Sequence, residues 1–240
     1  DMSDVVASGE PHDEPFVQLA GVDEIFSMRA VPLPDRCVGI SLEDITKRAR
    51  TAEAFRHQAT HDALTGLPNR ALLHERLTRA LIEADRTGAP VGLLMVDLDQ
   101  FKDVNDAHNH LFGSYILSEV GKIIRTSIRS VDIGARYGGD EFLIVLTETD
   151  TAGSQFFCER LRQRIEGSIF ESGIDRMKLT SSIGFAISDP QLETSAKQLV
   201  RVADKALYDA KREGRNRVKH YDLMVSPELN ELDSPKKRVV

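Results

Sequence analysis

Two acids, Asp97 and Asp99, close a continuous apolar run at residues 91–98. An uninterrupted run of that length reads as a strand buried on both faces. Carboxylates at its end emerge where a ligand can reach them. The alternating pleat is expected to send the two to opposite faces, one binding a cation while the other braces the loop, although acids at strand ends also serve simply as caps. Further along stands Gly138-Gly139-Asp140-Glu141-Phe142. A glycine pair in a turn lets a phosphate approach the backbone, and the acids behind it suit a hard divalent cation, which takes oxygen ligands. The plain alternative is a type I′ turn followed by two solvated acids. Three other groupings carry charge or metal-binding atoms. His108 and His110 share a loop, and without further ligands such a pair reads as a surface feature. Arg129 and Asp132 have the spacing of a helix-end ion pair, which on a surface contributes little. Lys211 and Arg215, at i and i+4, are expected on one face of a basic helix end, where the dipole favours cations.

The elements that must position these residues alternate clearly. Residues 70–87 carry Leu72, Leu73, Leu77, Ala80, Leu81 and Ala84 at helical spacing, closed by Gly88. A helix is expected over 113–130, then a hairpin of 135–137 and 141–146 whose turn is the glycine pair. A helix over 155–169, a strand over 179–187 and a helix over 195–213 follow. The order α-β-α-β-β-α-β-α describes a mixed sheet covered by helices. Ahead of this block, a polar stretch at 1–14 is expected to fray. Short strands are expected at 17–19, 24–31 and 36–42, too few residues for a core of their own. Residues 42–60 read as a charged helix with Leu42, Ile45, Ala49, Ala52 and Ala59 on a heptad-like seam interrupted by Arg56. That pattern fits a solvated connector or a parallel dimer coil. The polar tail from Ser226 is expected to be loose.

Composition narrows the class. The 240 residues hold 31 Lys+Arg against 38 Asp+Glu, a net charge of −7, with 41% hydrophobic residues. That is ordinary globular composition and excludes wholesale disorder. No apolar run reaches the roughly 18 residues of a membrane-spanning helix. The acidic balance weighs against a nucleic-acid polymer as partner. Cys37 and Cys158 form no metal or redox spacing, so a reducing, cytoplasmic setting is expected. The first residues lack the basic and apolar regions of a signal peptide. Asp1 precedes Met2, as in an excised fragment, which leaves open an anchor upstream.

From about Thr60 to Tyr221 the chain resembles the GGDEF domain, the catalytic domain of diguanylate cyclases. Four motifs agree in order and spacing: Asp62-Ala63-Leu64-Thr65-Gly66-Leu67-Pro68-Asn69-Arg70, the stretch Asp97 to Asp106, Gly138-Gly139-Asp140-Glu141-Phe142, and Ala210-Lys211-Arg212-Glu213-Gly214-Arg215-Asn216. The resemblance implies an α/β (α+β), palm-like nucleotidyl-cyclase fold, with a central mixed antiparallel sheet of about five strands flanked by helices. It implies that two nucleoside triphosphates condense into a 3′,3′-cyclic dinucleotide with release of two pyrophosphates. Asp97, Asp140 and the backbone carbonyl of Leu98 would then ligate Mg²⁺ (or Mn²⁺), and Asp140 or Glu141 would accept the proton of the attacking hydroxyl. Phe101, Lys102, Asn105, His110, Ser114, Gly138, Gly139, Lys211 and Arg215 fall at substrate-binding positions. Of these, Lys102, Lys211 and Arg215 would face phosphates, and Asn105 and His110 the base. Arg129 and Asp132 match the family's inhibitory product site. Each domain holds one triphosphate, so an active homodimer is implied. The segment from Val38 to Thr46 resembles the last strand and exit of a PAS sensor domain. The expected organisation is a partial PAS-like segment at 1–45, a connector helix at 46–60, a catalytic domain at 61–222 and a flexible tail at 223–240.

Two positions depart from the family pattern N-D-x-x-G-H-x-x-G-D. Asn109 stands for a glycine and is expected to adopt the left-handed conformation that asparagine tolerates. Ser114 stands for the aspartate that accepts hydrogen bonds from guanine N1–H and the 2-amino group. Adenine offers an acceptor at N1 and has no 2-amino group, so a serine removes a mismatch of about 1–3 kcal/mol against it. The same substitution marks the hybrid promiscuous (Hypr) subset, which accepts ATP as well as GTP and makes cyclic GMP–AMP. The alternative functions are a non-catalytic receptor for a cyclic dinucleotide or GTP, and a partner-binding scaffold working through the connector helix.

Overall fold

The chain divides into two units, Asp1–Ala59 and Thr60–Val240. The computed structural model describes residues 5, 7–188 and 194–223; the tail expected to be loose lies outside them from residue 224 onward. In the first unit, strands β1 (His12–Gln18), β2 (Ile25–Leu33) and β3 (Cys37–Asp44) form an antiparallel sheet in that order. The stretch expected to fray is paired from His12, because His12, Asp13 and Glu14 lie opposite Ala30, Arg29 and Met28. Helix α1 (Thr46–Thr60) begins four residues later than its apolar seam suggested. Leu42 belongs instead to β3, opposite Met28, and the Asp44 carboxylate accepts the Thr46 N–H at 2.9 Å to start the helix.

The second unit is built on a five-stranded sheet of β4 (Gly92–Leu98), β5 (Ile133–Gly138), β6 (Glu141–Leu146), β9 (Ser181–Ile187) and β10 (Val218–Tyr221), in the order β10-β9-β4-β6-β5. All neighbours are antiparallel except β9 and β10. Helices α2 (Arg70–Thr87), α3 (Phe101–Ala107), α4 (His110–Arg125), α5 (Thr151–Gly167) and α6 (Ala196–Arg212) surround it, with a small hairpin of β7 (Phe170–Ser172) and β8 (Asp175–Met177). This is the expected mixed sheet flanked by helices. The pattern hid α3, β7, β8 and β10, each too short to develop a period.

Strand alternation sorts the core into two layers. Leu94, Val96 and Leu98 of β4, with Phe142, Ile144 and Leu146 of β6, pack against α4 and α5. Leu93 and Met95, with Leu143 and Val145, pack against α2 and α6. Every residue of β4 is buried, which is why its sequence is apolar apart from Asp97. The same parity sends Asp97 and Glu141, directly opposite each other on β4 and β6, to the α6 side. Asp97 and Asp99 do diverge, but not through the pleat, which would place residues two apart on one face. The strand ends at Leu98, and Gln100 turns the chain at φ +55°.

Helix α6 lies unusually close to the sheet. It turns Ala203, Ala206 and Ala210 inward, and a Cβ at Gly184 of β9 would fall 2.1 Å from the Leu207 backbone nitrogen and 2.3 Å from the Ala203 carbonyl. Backbone cannot yield there as a flexible side chain would. Gly184→Ala is therefore expected to destabilise the domain by about 1–3 kcal/mol in urea unfolding. A midpoint unchanged from wild type would show that the helix can lift off without cost.

Candidate functional site

Asp97 is 6% exposed, and its Oδ2 lies 2.7 Å from the Lys211 ammonium at the last turn of α6. Burial pushes the Asp97 carboxyl up to about 6, against the pull of Lys211, with Asp140 and Glu141 adding repulsion. Glu141 is raised as well, by burial first, opposed by Lys211 and reinforced by Asp140 and Asp204. Three carboxylates thus crowd one sheet edge with one ammonium among them. Among the described residues, no group of three or more His, Cys, Asp or Glu side chains is gathered as a ready metal cage. Any cation here must take backbone oxygen or water in addition.

The hairpin that carries Asp140 differs from the expected one. Gly138 pairs with Glu141, so the two central residues of the turn are Gly139 and Asp140 rather than the two glycines. Gly139 takes φ +53° and Asp140 is not among the positive-φ residues. Glycine at the first central position is the pattern of a type II′ turn rather than type I′.

Beside this turn is a cleft of about 370 Å³ lined by Phe101, Lys102 and Asn105 of α3, His110, Gly113, Ser114 and Leu117 of α4, Arg136 of β5, and Gly139 and Asp140. Every base-side residue inferred from the sequence is therefore in one place. Gly113 leaves Asn105 its place in the cleft, because a Cβ there would fall 2.0 Å from the Asn105 side-chain oxygen and turn that side chain away. Asn109 is extended rather than left-handed, at φ −179°, and caps α4 by accepting the Phe112 N–H at 2.9 Å. Asparagine is used there as an N-cap. His108 and His110 do not face a common ligand: His108 Nδ1 lies 2.7 Å from Asp175 Oδ1 on β8, while His110 lines the cleft.

Arg136 had no role in the sequence reading, yet it ties two motifs together. Its Nη1 reaches both Asp62 oxygens at 3.2 and 3.1 Å, and its Nε and Nη2 donate to the Gly139 carbonyl at 3.0 and 2.8 Å. Asp62 also accepts the Thr65 N–H and hydroxyl. Burial opposes its charge, but the Thr65 bonds and Arg136 outweigh it and hold the carboxyl below the ordinary range. The Asp62–Arg70 motif is thus a bracket on the turn. The available signal was Arg136 two residues ahead of the glycine pair, legible only with knowledge of what it touches.

Other expected residues lie apart. Arg215 is not on a helix face with Lys211, because α6 ends at Arg212 and Gly214 and Arg215 take φ of +115° and +62°. Asp99 braces the loop as expected, accepting from the Thr180 and Ser182 hydroxyls at 2.7 Å each and from the Asn216 N–H at 3.1 Å. Arg129 and Asp132 line a separate cavity of about 340 Å³ with Arg160 and Phe156. Asp132 is nine-tenths buried and caps backbone, accepting from the Arg129 and Thr147 N–H groups at 3.0 and 3.2 Å. Leu98 is the last residue of β4. No described helix is long and apolar enough to cross a membrane.

A palm-like sheet carrying this acidic edge defines a nucleotidyl-cyclase-like domain. The family described as "Diguanylate cyclase, GGDEF domain" matches residues 59–217, and the chain belongs to it. Diguanylate cyclase DosC of Escherichia coli (strain K12) is 41% identical over 169 residues, 69% of this chain and 36% of that protein. Diguanylate cyclase DgcS of Shewanella oneidensis is 41% identical over 159 residues, 66% of this chain and 52% of that one. The chain thus spans between about a third and a half of those relatives. Among solved structures, the coiled coil and GGDEF domain of DgcB from Caulobacter crescentus in complex with c-di-GMP superposes with a TM-score of 0.69 at 30% identity, covering 74% of this chain and 93% of that one.

If Arg136 and Asp62 act as one bracket, a double-mutant cycle of Asp62→Ala and Arg136→Ala should give a coupling of about 1–2 kcal/mol in unfolding. Additive single losses would show that the two motifs are independent.

Proposed function

We propose that this domain is a cyclic-dinucleotide synthase that condenses two nucleoside triphosphates, GTP and also ATP, on a homodimer. The observation that carries the reading is the cleft in which Asn105, His110, Ser114 and Lys102 stand beside Asp140, next to the Asp97–Glu141 edge. The names of the relatives support the guanine reaction that yields cyclic di-GMP.

The acidic edge fits a divalent cation. Burial first, with the Asp140 and Glu141 charges adding to it, lifts the Asp97 carboxyl to about 6, and a hard cation with oxygen ligands would offset that cost. Asp97, Asp140 and the Leu98 carbonyl would hold Mg²⁺ or Mn²⁺. When bound, the ion would supply charge neutralisation at the reacting phosphate. The chain's own groups do the rest. Asp140 or Glu141 accepts the 3′-hydroxyl proton as that oxygen bonds to the α-phosphorus of the second nucleotide. The bond from the α-phosphorus to the pyrophosphate oxygen breaks. A second identical step closes the ring and frees a second pyrophosphate. Phe101 walls the base, Gly138 and Gly139 leave open space beside the turn for phosphate, and Lys102, Lys211 and Arg215 neutralise it. Each domain carries one triphosphate, so two copies must meet for either step.

Ser114 sets the base choice. It is half-buried in the cleft within reach of the position that Asn105 and His110 define, and its hydroxyl both donates and accepts. Guanine loses a carboxylate partner and adenine loses a clash, so the discrimination of about ten- to a hundredfold collapses from both sides. Product returning to the Arg129 cavity slows turnover. The Asp132 carboxylate already caps backbone there, which leaves the Arg129 guanidinium as the group that grips phosphate.

Chromatography of the products from GTP alone, ATP alone and both together tests the reading. The mixture should yield cyclic GMP–AMP beside the homodimers, and Ser114→Asp should shift output toward cyclic di-GMP by about tenfold or more. Guanine-only product from wild type would refute mixed use. Nucleotide binding without pyrophosphate release would leave a receptor. Arg129→Ala, run alongside, should keep turning over as product accumulates.

The Asp97 carboxyl must be ionised to hold a cation, so activity at fixed Mg²⁺ should fall as pH drops through about 6. In metal-free protein the same raised group has the opposite sign. The fold gains from its protonation, so the stability it contributes falls as pH rises from about 4 through 6. A pH profile flat from 7 to 5 would remove Asp97 from the cation site.

A further inference from the structure

We infer that Lys211 is a built-in stand-in for the divalent cation: in the nucleotide-free protein its ammonium occupies the carboxylate oxygen that the cation takes, and it leaves only when a triphosphate offers another anion. The inference deepens the proposed function and rests on the reading of Asp97 as a cation ligand.

The geometry is specific. Lys211 Nζ sits 2.7 Å from Asp97 Oδ2, and the carboxylate side chain is 9% exposed against 34% for the lysine. A contact of this length between a buried acid and a half-buried ammonium is a charge-assisted hydrogen bond, roughly twice as strong as a neutral one. The position is built rather than incidental. Lys211 lies on the last turn of α6, and the approach of that helix to β9 is fixed at Gly184. The Lys211 charge acts on Asp97 and Glu141 from the sheet, and those carboxylates also feel Asp140 from the turn and, at Glu141, Asp204 from α6. Lys102, by contrast, lines the neighbouring cleft and makes no ion pair with Asp97 among the described residues.

Two consequences follow from one charge filling the site of another. A cation arriving alone must break the Lys211–Asp97 contact and leave the ammonium without a partner. A cation arriving with a triphosphate does not, because the phosphates accept the displaced ammonium. Cation and nucleotide therefore raise each other's affinity by the same factor, as linkage requires. The device keeps the acidic edge neutralised while the site is empty of nucleotide, and reserves the cation for the loaded state.

The test measures Mn²⁺ binding to the nucleotide-free full chain by electron paramagnetic resonance, near neutral pH and low salt. Lys211→Met should bind Mn²⁺ about tenfold tighter than wild type. Lys102→Ala, which removes an equal charge from the same region without touching Asp97, should change affinity far less. Thermal melting of each variant verifies that it is folded. Equal or weaker binding by folded Lys211→Met overturns the inference, and so do equal gains in both lysine variants, which would mark a diffuse field effect. With α,β-methylene GTP added, the mutual enhancement seen in wild type should shrink in Lys211→Met; an undiminished enhancement overturns the exchange. Asp97→Asn separates the two layers of the argument. If it loses Mn²⁺ while Lys211→Met matches wild type, the stand-in fails alone. If Asp97→Asn binds as wild type does, the cation reading falls and takes the stand-in with it.

Discussion

Two carboxylates placed directly opposite each other on neighbouring strands repel, and at the sheet edge that carries Asp97 and Glu141 the Lys211 ammonium sits against Asp97. Like charges in that register destabilise a sheet, and burial makes matters worse by stripping water from both. Burial first, and then the Asp140 and Glu141 charges, raise the Asp97 carboxyl. Lys211 opposes that rise from α6. The domain tolerates an unfavourable charge arrangement at the place where the proposed function calls for anions ready to receive a cation.

The rest of the architecture can be understood as what holds this edge in register. Parity along β4 and β6 makes one face wholly apolar against α4 and α5, and the other apolar until its last residues, where Asp97 and Glu141 take over. Alanines on α6 and glycine at position 184 then bring the helix near enough for a lysine to span the remaining gap. On the opposite side of the turn, Arg136 satisfies the Gly139 carbonyl and the Asp62 carboxylate at once, so the hairpin that bears Asp140 cannot swing independently of the segment before α2. Asp99, beside the reactive edge but outside the strand, spends its oxygens on Thr180, Ser182 and Asn216. It joins the turn after α6 to the end of β4. Three separate sequence motifs thereby converge on one rigid corner.

The apolar periods and glycine stops made the major helices and the core strands legible, because burial on one or two faces writes a period into sequence. Short elements were not, since α3 and β10 bury too little to write one. Chemistry-bearing residue types were legible at Asp97, Asp140 and Glu141. Their partners were not, because Arg136 and Asp62 are 74 residues apart and nothing local marks them as a pair. Conformational guesses from residue type fared unevenly. Asn109 could tolerate a left-handed backbone but was recruited as a helix cap, and the paired glycines divided their labour, only Gly139 entering the turn. The i and i+4 spacing of Lys211 and Arg215 failed for a plain reason: Gly214 lies between them and ends the helix, so they cannot share one of its faces.

That interruption changes how the two basic residues can act on one ligand. On a continuous helix they would approach a polyphosphate as parallel arms from one side. In the observed chain Lys211 is committed to the sheet edge, whereas Arg215 sits in an exposed left-handed turn whose neighbour Asn216 is held by Asp99, Arg162 and Glu166. Among the described residues the arginine is anchored by its backbone N–H on the Ala210 carbonyl and its guanidinium makes no ion pair, whereas the lysine is held at its ammonium by Asp97. A long anionic ligand would meet the anchored arginine first and draw the lysine out second. Under the proposed function, charge recognition at the exposed Arg215 would precede any change at the buried Asp97.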